Sequence, residues 1–148
     1  MKESAFRQWV RASVSARDLW CEAYEPRLGG GTGIADLNLA VEGFLVPIEL
    51  KVGEVRTGRL FCDEIRPDQI GWHNRICRAK IFTFFLAGTG SYSVRLPERI
   101  FAFQLTAALG WRKGIPLSDM AELRVGKGEF VGDLLNYVAQ KADNGCYK

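Results

Sequence analysis

Paired cysteines are missing from this chain: Cys21, Cys62, Cys77 and Cys146 fall at none of the spacings that mark zinc knuckles or redox dithiols. Four free thiols in a reducing compartment are expected instead, and no structural zinc. Long apolar runs are missing as well. The longest, "IFTFFLA", is far too short to span a bilayer, so no membrane segment is expected. The N-terminal stretch "MKESAFRQWVRASVSARDLW" carries charges throughout and has no continuous apolar centre, which argues against a secretory signal and predicts a cytoplasmic protein. There is no internal repeat and no low-complexity tract. The "GGGTG" at 29–33 is followed by no GK[ST] and opens no helix, which argues against a nucleotide-phosphate loop. Together with Arg27 it is expected to be a loop beside the functional site.

What is present fits one soluble domain over residues 1–148, since 47% hydrophobic and 25% charged content over 148 residues is ordinary for a single packed core. Net charge is +3, from 20 Lys and Arg against 17 Asp and Glu, which permits a polyanionic partner without demanding one. Position matters more than the total. From Lys51 to Lys80 there are seven basic residues (Lys51, Arg56, Arg59, Arg66, Arg75, Arg78, Lys80) against four acidic ones. Most are Arg, whose planar fork suits phosphate oxygens, so this stretch is expected to flank a phosphate backbone.

Residues 4–18 repeat apolar side chains at helical spacing (Phe6, Val10, Val14) and are expected to form an amphipathic helix. "LWCEAYE", 19–25, reads as a short strand. "DLNLAV" and "FLVPIELKV" flank Glu42-Gly43 and read as a hairpin. "VRTGRLFCDEI" reads as a polar connection, and Pro67 opens a helix through "PDQIGWHNRICRAK". "IFTFFLAG" suits a strand buried on both faces. "SYSVRL" is expected as an edge strand, "PERIFAFQLTAALG" as a helix from Pro97 to Gly110, "IPLSDMAEL" as a turn, and "EFVGDLLNYVAQKA" as a C-terminal helix. Its Phe130, Leu134, Leu135, Tyr137 and Val138 suit either the core or a dimer face. His73, the only histidine, is expected to be packed or capped.

Asp36 sits where the Gly-rich loop becomes a strand, and Glu49 and Lys51 sit on the next strand. If Glu42-Gly43 is a two-residue turn, Val41 faces Phe44 and Asp36 lies opposite Glu49, with Cβ atoms about 4.5–5.5 Å apart. Glu49 and Lys51, two apart, point to the same face as Asp36, while Leu37, Leu39, Ile48 and Leu50 point into the core. A loop one residue longer would send Asp36 to the wrong face. Two carboxylates so close repel unless a proton or a cation lies between them, and Mg²⁺ with oxygen ligands and a substrate phosphate suits so sparse a set. A solvated ion pair between Lys51 and either acid is the alternative reading of the same spacing.

Asp36, twelve intervening residues, then Glu49-Leu50-Lys51 resembles the signature of the PD-(D/E)xK nuclease superfamily, with Ala35 in place of the usual Pro. The helix, Gly-rich approach, hairpin, helix and buried strand resemble that superfamily's αβββαβ core over about residues 3–95. The segment from Ile65 to Gly88 is similar to the VRR-NUC and Holliday-junction-resolvase branches, where a Gln on the helix follows the Lys; here that is Gln69. The resemblance implies an α/β (α+β) restriction-endonuclease-like fold, a mixed central sheet flanked by helices, with a helical extension over about 96–148. It implies Mg²⁺, with Mn²⁺ as substitute, on Asp36, Glu49 and the Leu50 carbonyl, with Lys51 as catalytic cation. It also implies an additional acid from the first helix, Glu3, with Glu22 as the substitute. Gln69, Arg56, Arg59, Arg66, Arg75 and Arg78 are expected at the nucleic acid. The implied activity is metal-dependent DNA endonuclease cleavage, structure-selective or nicking, by a homodimer or higher homo-oligomer. A sequence-specific restriction-like or homing endonuclease, or a non-catalytic nucleic-acid-binding module, is the alternative.

Overall fold

The computed structural model describes residues 1–23, 35–41 and 43–143; the expected loop at Arg27 and "GGGTG", the turn residue Glu42 and Cys146 lie outside them. Helix α1 (Glu3–Ser15) buries Phe6, Trp9, Val10, Ser13 and Val14, the stripe its sequence period dictates. Strand β1 (Cys21–Ala23) lies antiparallel to β2 (Leu37–Val41), which pairs with β3 (Phe44–Arg56) in the register Val41↔Phe44 through Leu37↔Ile48. That is the register of a two-residue turn, and Gly43 supplies a left-handed φ of +85°.

Strand β3 is long because it serves two hairpins. Its first half pairs with β2, and its last four residues pair with β4 (Arg59–Cys62) on the same edge. Thr57 and Gly58 form the second turn with φ of 52° and 71°, both left-handed, as a type I′ turn requires. The polar connection expected over 55–65 is therefore largely strand, because Leu60 alternates into the core between the less buried Arg59 and Phe61.

Helix α2 (Pro67–Arg78) begins at Pro67 as expected and carries the chain over to β5 (Phe84–Thr89), parallel to β3 and buried throughout. Strand β6 (Arg99–Phe103) and a short helix α3 (Leu105–Ala108) replace the helix expected over 97–110. Ile100, Phe101, Ala102 and Phe103 are all buried, so both faces of this run need covering; a strand between two helical layers meets that need, and a surface helix does not. "SYSVRL" holds turns and bends and no strand. "IPLSDMAEL" contains β7 (Ile115–Pro116) and β8 (Ala121–Leu123), and helix α4 (Lys127–Asp143) closes the described chain. The C-terminal part expected to be helical thus adds three strands to the sheet.

The result is an α+β molecule with an eight-stranded mixed sheet in the order β1-β2-β3-β5-β6-β8, with β4 on the far half of β3 and β7 paired to β4. Helices α1 and α4 cover one face, where Phe6, Val10, Leu37, Ile48, Leu50, Phe84, Phe130 and Leu134 share one core. The other face, under α2 and α3, packs Leu60, Ile65, Phe85, Phe101, Phe103 and Ile115 with Ile70 and Leu105. Phe130, Leu134, Tyr137 and Val138 are core residues, so α4 offers no dimer face through them. No described helix is long and apolar enough to cross a membrane.

Close approach of α1 to the sheet depends on Gly88: a Cβ there would lie 2.7 Å from Phe6 Cδ2. Gly88→Ala should destabilise the fold by about 1–3 kcal/mol through overpacking. Adding Phe6→Leu should recover part of the loss, read as a shift of the urea midpoint. A wild-type midpoint for Gly88→Ala alone contradicts the packing described.

Candidate active site

The two hairpins leave a gap along one edge of β3. Strand β2 pairs only as far as Ile48 and β4 begins pairing at Gly53, so Glu49–Val52 lie between them with no strand on that edge. Side chains and backbone fill the gap. The Leu50 N–H donates to Asp36 Oδ2 at 3.0 Å, and the Asp63 N–H donates to Val52 O at 2.9 Å. In a strand the N–H and C=O of one residue point to the same edge, so the Leu50 carbonyl faces this gap too. Extending the β2–β3 register by one residue sets Asp36 opposite Glu49. Glu49 and Lys51 project on the face that α2 covers.

Glu49 is 1% exposed. Its Oε1 accepts from Gln69 Nε2 at 2.6 Å and lies 3.9 Å from Lys51 Nζ, while its Oε2 accepts no hydrogen bond. Burial pushes its carboxyl up to about 9; the nearby Asp36 charge adds to the rise, and Lys51 only partly opposes it. Although Lys51 stands within ion-pair range, Glu49 therefore holds its proton at neutral pH in the absence of a further cation. The Lys51 ammonium is buried and donates to Glu64 O at 3.1 Å, which fixes it beside the acids.

His73, fully buried, stacks on Phe85 with centroids 4.5 Å apart. Thr83 spends its single hydroxyl proton on Pro47 O at 2.8 Å, so toward His73 Nδ1, 2.9 Å away, it accepts. The imidazole proton is thereby placed on Nδ1. Burial, aided by Lys51, lowers the His73 pKa to about 4, so Nε2 carries a lone pair and faces Glu49 Oε2 at 3.7 Å. That contact is no ion pair in the neutral state, and two facing lone pairs disfavour a charge on Glu49 further.

From the opposite layer, α1 sends Glu3 and Arg7 to the gap. Arg7 Nη2 donates to Asp36 Oδ1 at 2.7 Å and lies 3.7 Å from Glu3 Oε1. Burial raises the Glu3 carboxyl, with Lys51 opposing and Asp36 reinforcing the shift. The helix starts early enough to present Glu3, whereas Glu22 on β1 is exposed. Among the described residues, no three His, Cys, Asp or Glu side chains gather as a metal cage. The donor set is two carboxylates and a carbonyl, with Glu3 behind them.

Gln69, expected at the nucleic acid, is buried and ties Glu49 to the α2 cap: its Oε1 accepts the Arg66 N–H at 3.0 Å. Arg56 lies over the Phe61 ring at 4.2 Å, Arg59 donates to Gly114 O at 2.9 Å, and Arg66 pairs with Asp68 at 3.2 Å. Arg75 and Arg78 are exposed in the last turn of α2. Sequence reasoning missed Arg7 and Thr83. The available signal for Arg7 was its i+4 position after Glu3, which brings the two onto one face. Thr83 had none.

No family model matches the chain, and no curated protein matches it in sequence. Among solved structures the chain is similar to a bacterial homing endonuclease, I-Ssp6803I, at a TM-score of 0.49 and 15% identity, covering 97% of this chain and 95% of that one.

A raised carboxyl stabilises the fold fully below its unfolded pKa and loses that contribution as pH climbs to the folded value, so Glu49 weakens the metal-free fold from about pH 4.5 to about 9. His73, depressed to about 4, contributes fully above its usual 6.5, and Cys62, pushed up to about 12 by burial, matters only above 9. Between pH 6.5 and 9, in EDTA, wild type should therefore lose stability relative to Glu49→Gln, with a slope up to about 1.4 kcal/mol per pH unit. Parallel denaturation curves for the two proteins across that window contradict the assignment.

Proposed function

We propose that the protein is a Mg²⁺-dependent DNA endonuclease that hydrolyses phosphodiester bonds at the gap between β2 and β4. The observation that carries this reading is the buried Glu49 carboxyl set against Asp36, a like-charge pair that only a proton or a cation relieves. Asp36, Glu49 and the Leu50 carbonyl are hard oxygen donors on one edge, and too few to enclose an ion, which suits a cation that keeps waters and shares a substrate phosphate. Bound there, Mg²⁺ would supply Lewis acidity to the phosphate and lower the pKa of the attacking water. Gln69 holds Glu49 in place through Oε1 and leaves Oε2 without a hydrogen bond. Lys51, anchored by Glu64 O, orients the nucleophile and offsets charge that develops on the phosphate. Arg75 and Arg78, both exposed, add backbone contacts that set affinity without reading sequence. Cutting both strands calls for two such sites, so a homodimer belongs to this reading, through a surface other than the buried face of α4.

The direct test is incubation of linear, plasmid and branched DNA with Mg²⁺ or with EDTA. Cleavage should require the metal, and preference among the substrates decides between shape and sequence recognition. Asp36→Asn and Glu49→Gln should each abolish cleavage while the protein stays folded; wild-type rates in either would refute the site. Lys51→Ala should lose roughly 10²–10³-fold in rate, the scale of one lost stabilising donor, and still bind Mn²⁺ by calorimetry. Loss of Mn²⁺ affinity as large as in Glu49→Gln would show that Lys51 has been given the wrong role.

A further inference from the structure

Among the described residues, Arg7 is the strong cation of the site that the nuclease reading leaves without a task. Its Nη2 stands on Asp36 Oδ1 at 2.7 Å, while the other oxygen, Oδ2, is committed to the Leu50 backbone amide. Oδ1 is the oxygen that Arg7 covers, so a cation drawn to that oxygen meets the guanidinium first. A dication and a guanidinium on one oxygen atom repel, so the two alternate. The Arg7 side chain is 21% exposed, which leaves the guanidinium room to swing, yet its Nε is buried with no hydrogen-bond partner. An unsatisfied buried N–H costs free energy that any acceptor brought alongside would recover. Glu3, one turn back on α1, lies 3.7 Å from Nη2 and offers the guanidinium a second anion close to the gap.

We propose that Arg7 is a catalytic residue with two positions. Without metal, its guanidinium substitutes for the cation on Asp36. With metal and DNA bound, it yields Oδ1 and takes the non-bridging oxygens of the scissile phosphate, using the fork that Nε and an Nη present to a phosphate. The proposal rests on the nuclease reading and adds to it a substrate contact and a built-in competitor for the metal.

Two titrations and a rate test it, with Arg7→Ala, Arg7→Gln and Arg7→Lys beside wild type. In calorimetric titration with Mn²⁺ and no DNA, Arg7→Ala and Arg7→Gln should bind about 3–10-fold more tightly than wild type, because a competing cation is gone. In fluorescence anisotropy with a labelled duplex oligonucleotide and Ca²⁺, the same variants should bind DNA more weakly. Their kcat should fall by about 10²-fold or more, and Arg7→Lys should recover only part of the loss, since an ammonium is a point charge and not a fork. If Arg7 merely fastens α1 to β2, Mn²⁺ affinity falls together with the melting temperature, and the proposal is overturned. Wild-type kcat in Arg7→Ala also overturns it while leaving the nuclease reading intact. A wild-type protein that neither cleaves DNA nor binds Mn²⁺ through Asp36 removes both.

Discussion

The confrontation of Asp36 with Glu49 is the constraint on which the site depends, and the β2–β3 register imposes it. A two-residue turn at Gly43 fixes Leu37 opposite Ile48, and the next pair outward is the two acids. Sliding that register by one residue would turn Leu37, Leu39, Ile48 and Leu50 out of the core. The apolar face thus enforces the polar one: the burial that holds the sheet together also holds two carboxyls side by side in a place neither would choose. Glu49 answers by keeping a proton, and Asp36 by pairing with Arg7.

The long β3 strand makes the place. By pairing with β2 at one end and β4 at the other, it leaves Leu50 facing an open edge in the middle of the molecule. Both helical layers then reach the same point, α1 with Glu3 and Arg7, α2 with Gln69 and His73. Each polar group on the α2 side has one assignment. Gln69 bridges Glu49 and the α2 cap, and Thr83 relays Pro47 to His73. Breaking a link in such a buried chain would leave a further unsatisfied group behind. The orphaned atoms, Glu49 Oε2, His73 Nε2 and Arg7 Nε, sit at the gap and not elsewhere among the described residues. Unsatisfied buried groups concentrated in one spot cost stability, which chemistry at the proposed site would account for.

Much of this was legible in the sequence because alternation and turn length are local. The hairpin register, the face shared by Asp36, Glu49 and Lys51, the opening of α2 at Pro67 and the buried β5 strand all follow from spacing alone. The misread run at 97–110 has a physical cause: a strand covered on both faces loses the period that identifies it. Ile100–Phe103 is continuously apolar, and Pro97 ahead of it imitated a helix start. Leu60 was hidden in a polar run because it is the only residue of β4 that is fully buried. Thr83 was invisible, and Arg7 was marked only by its spacing from Glu3, for another reason. Their roles depend on which layer meets which edge, a tertiary fact that no window of sequence contains. The choice left open for α4 between core and dimer face is settled on the same ground, since α1 and the sheet claim those residues for the core.

The most direct measurement of the central claim is proton release on Mn²⁺ binding. It is obtained by titration calorimetry near pH 7.5 in buffers of different ionisation enthalpy. If Glu49 holds a proton against Asp36 until a cation replaces it, wild type should release about one proton for each Mn²⁺ bound, and Glu49→Gln about none. Mn²⁺ binding with no proton released by the wild-type protein would contradict it.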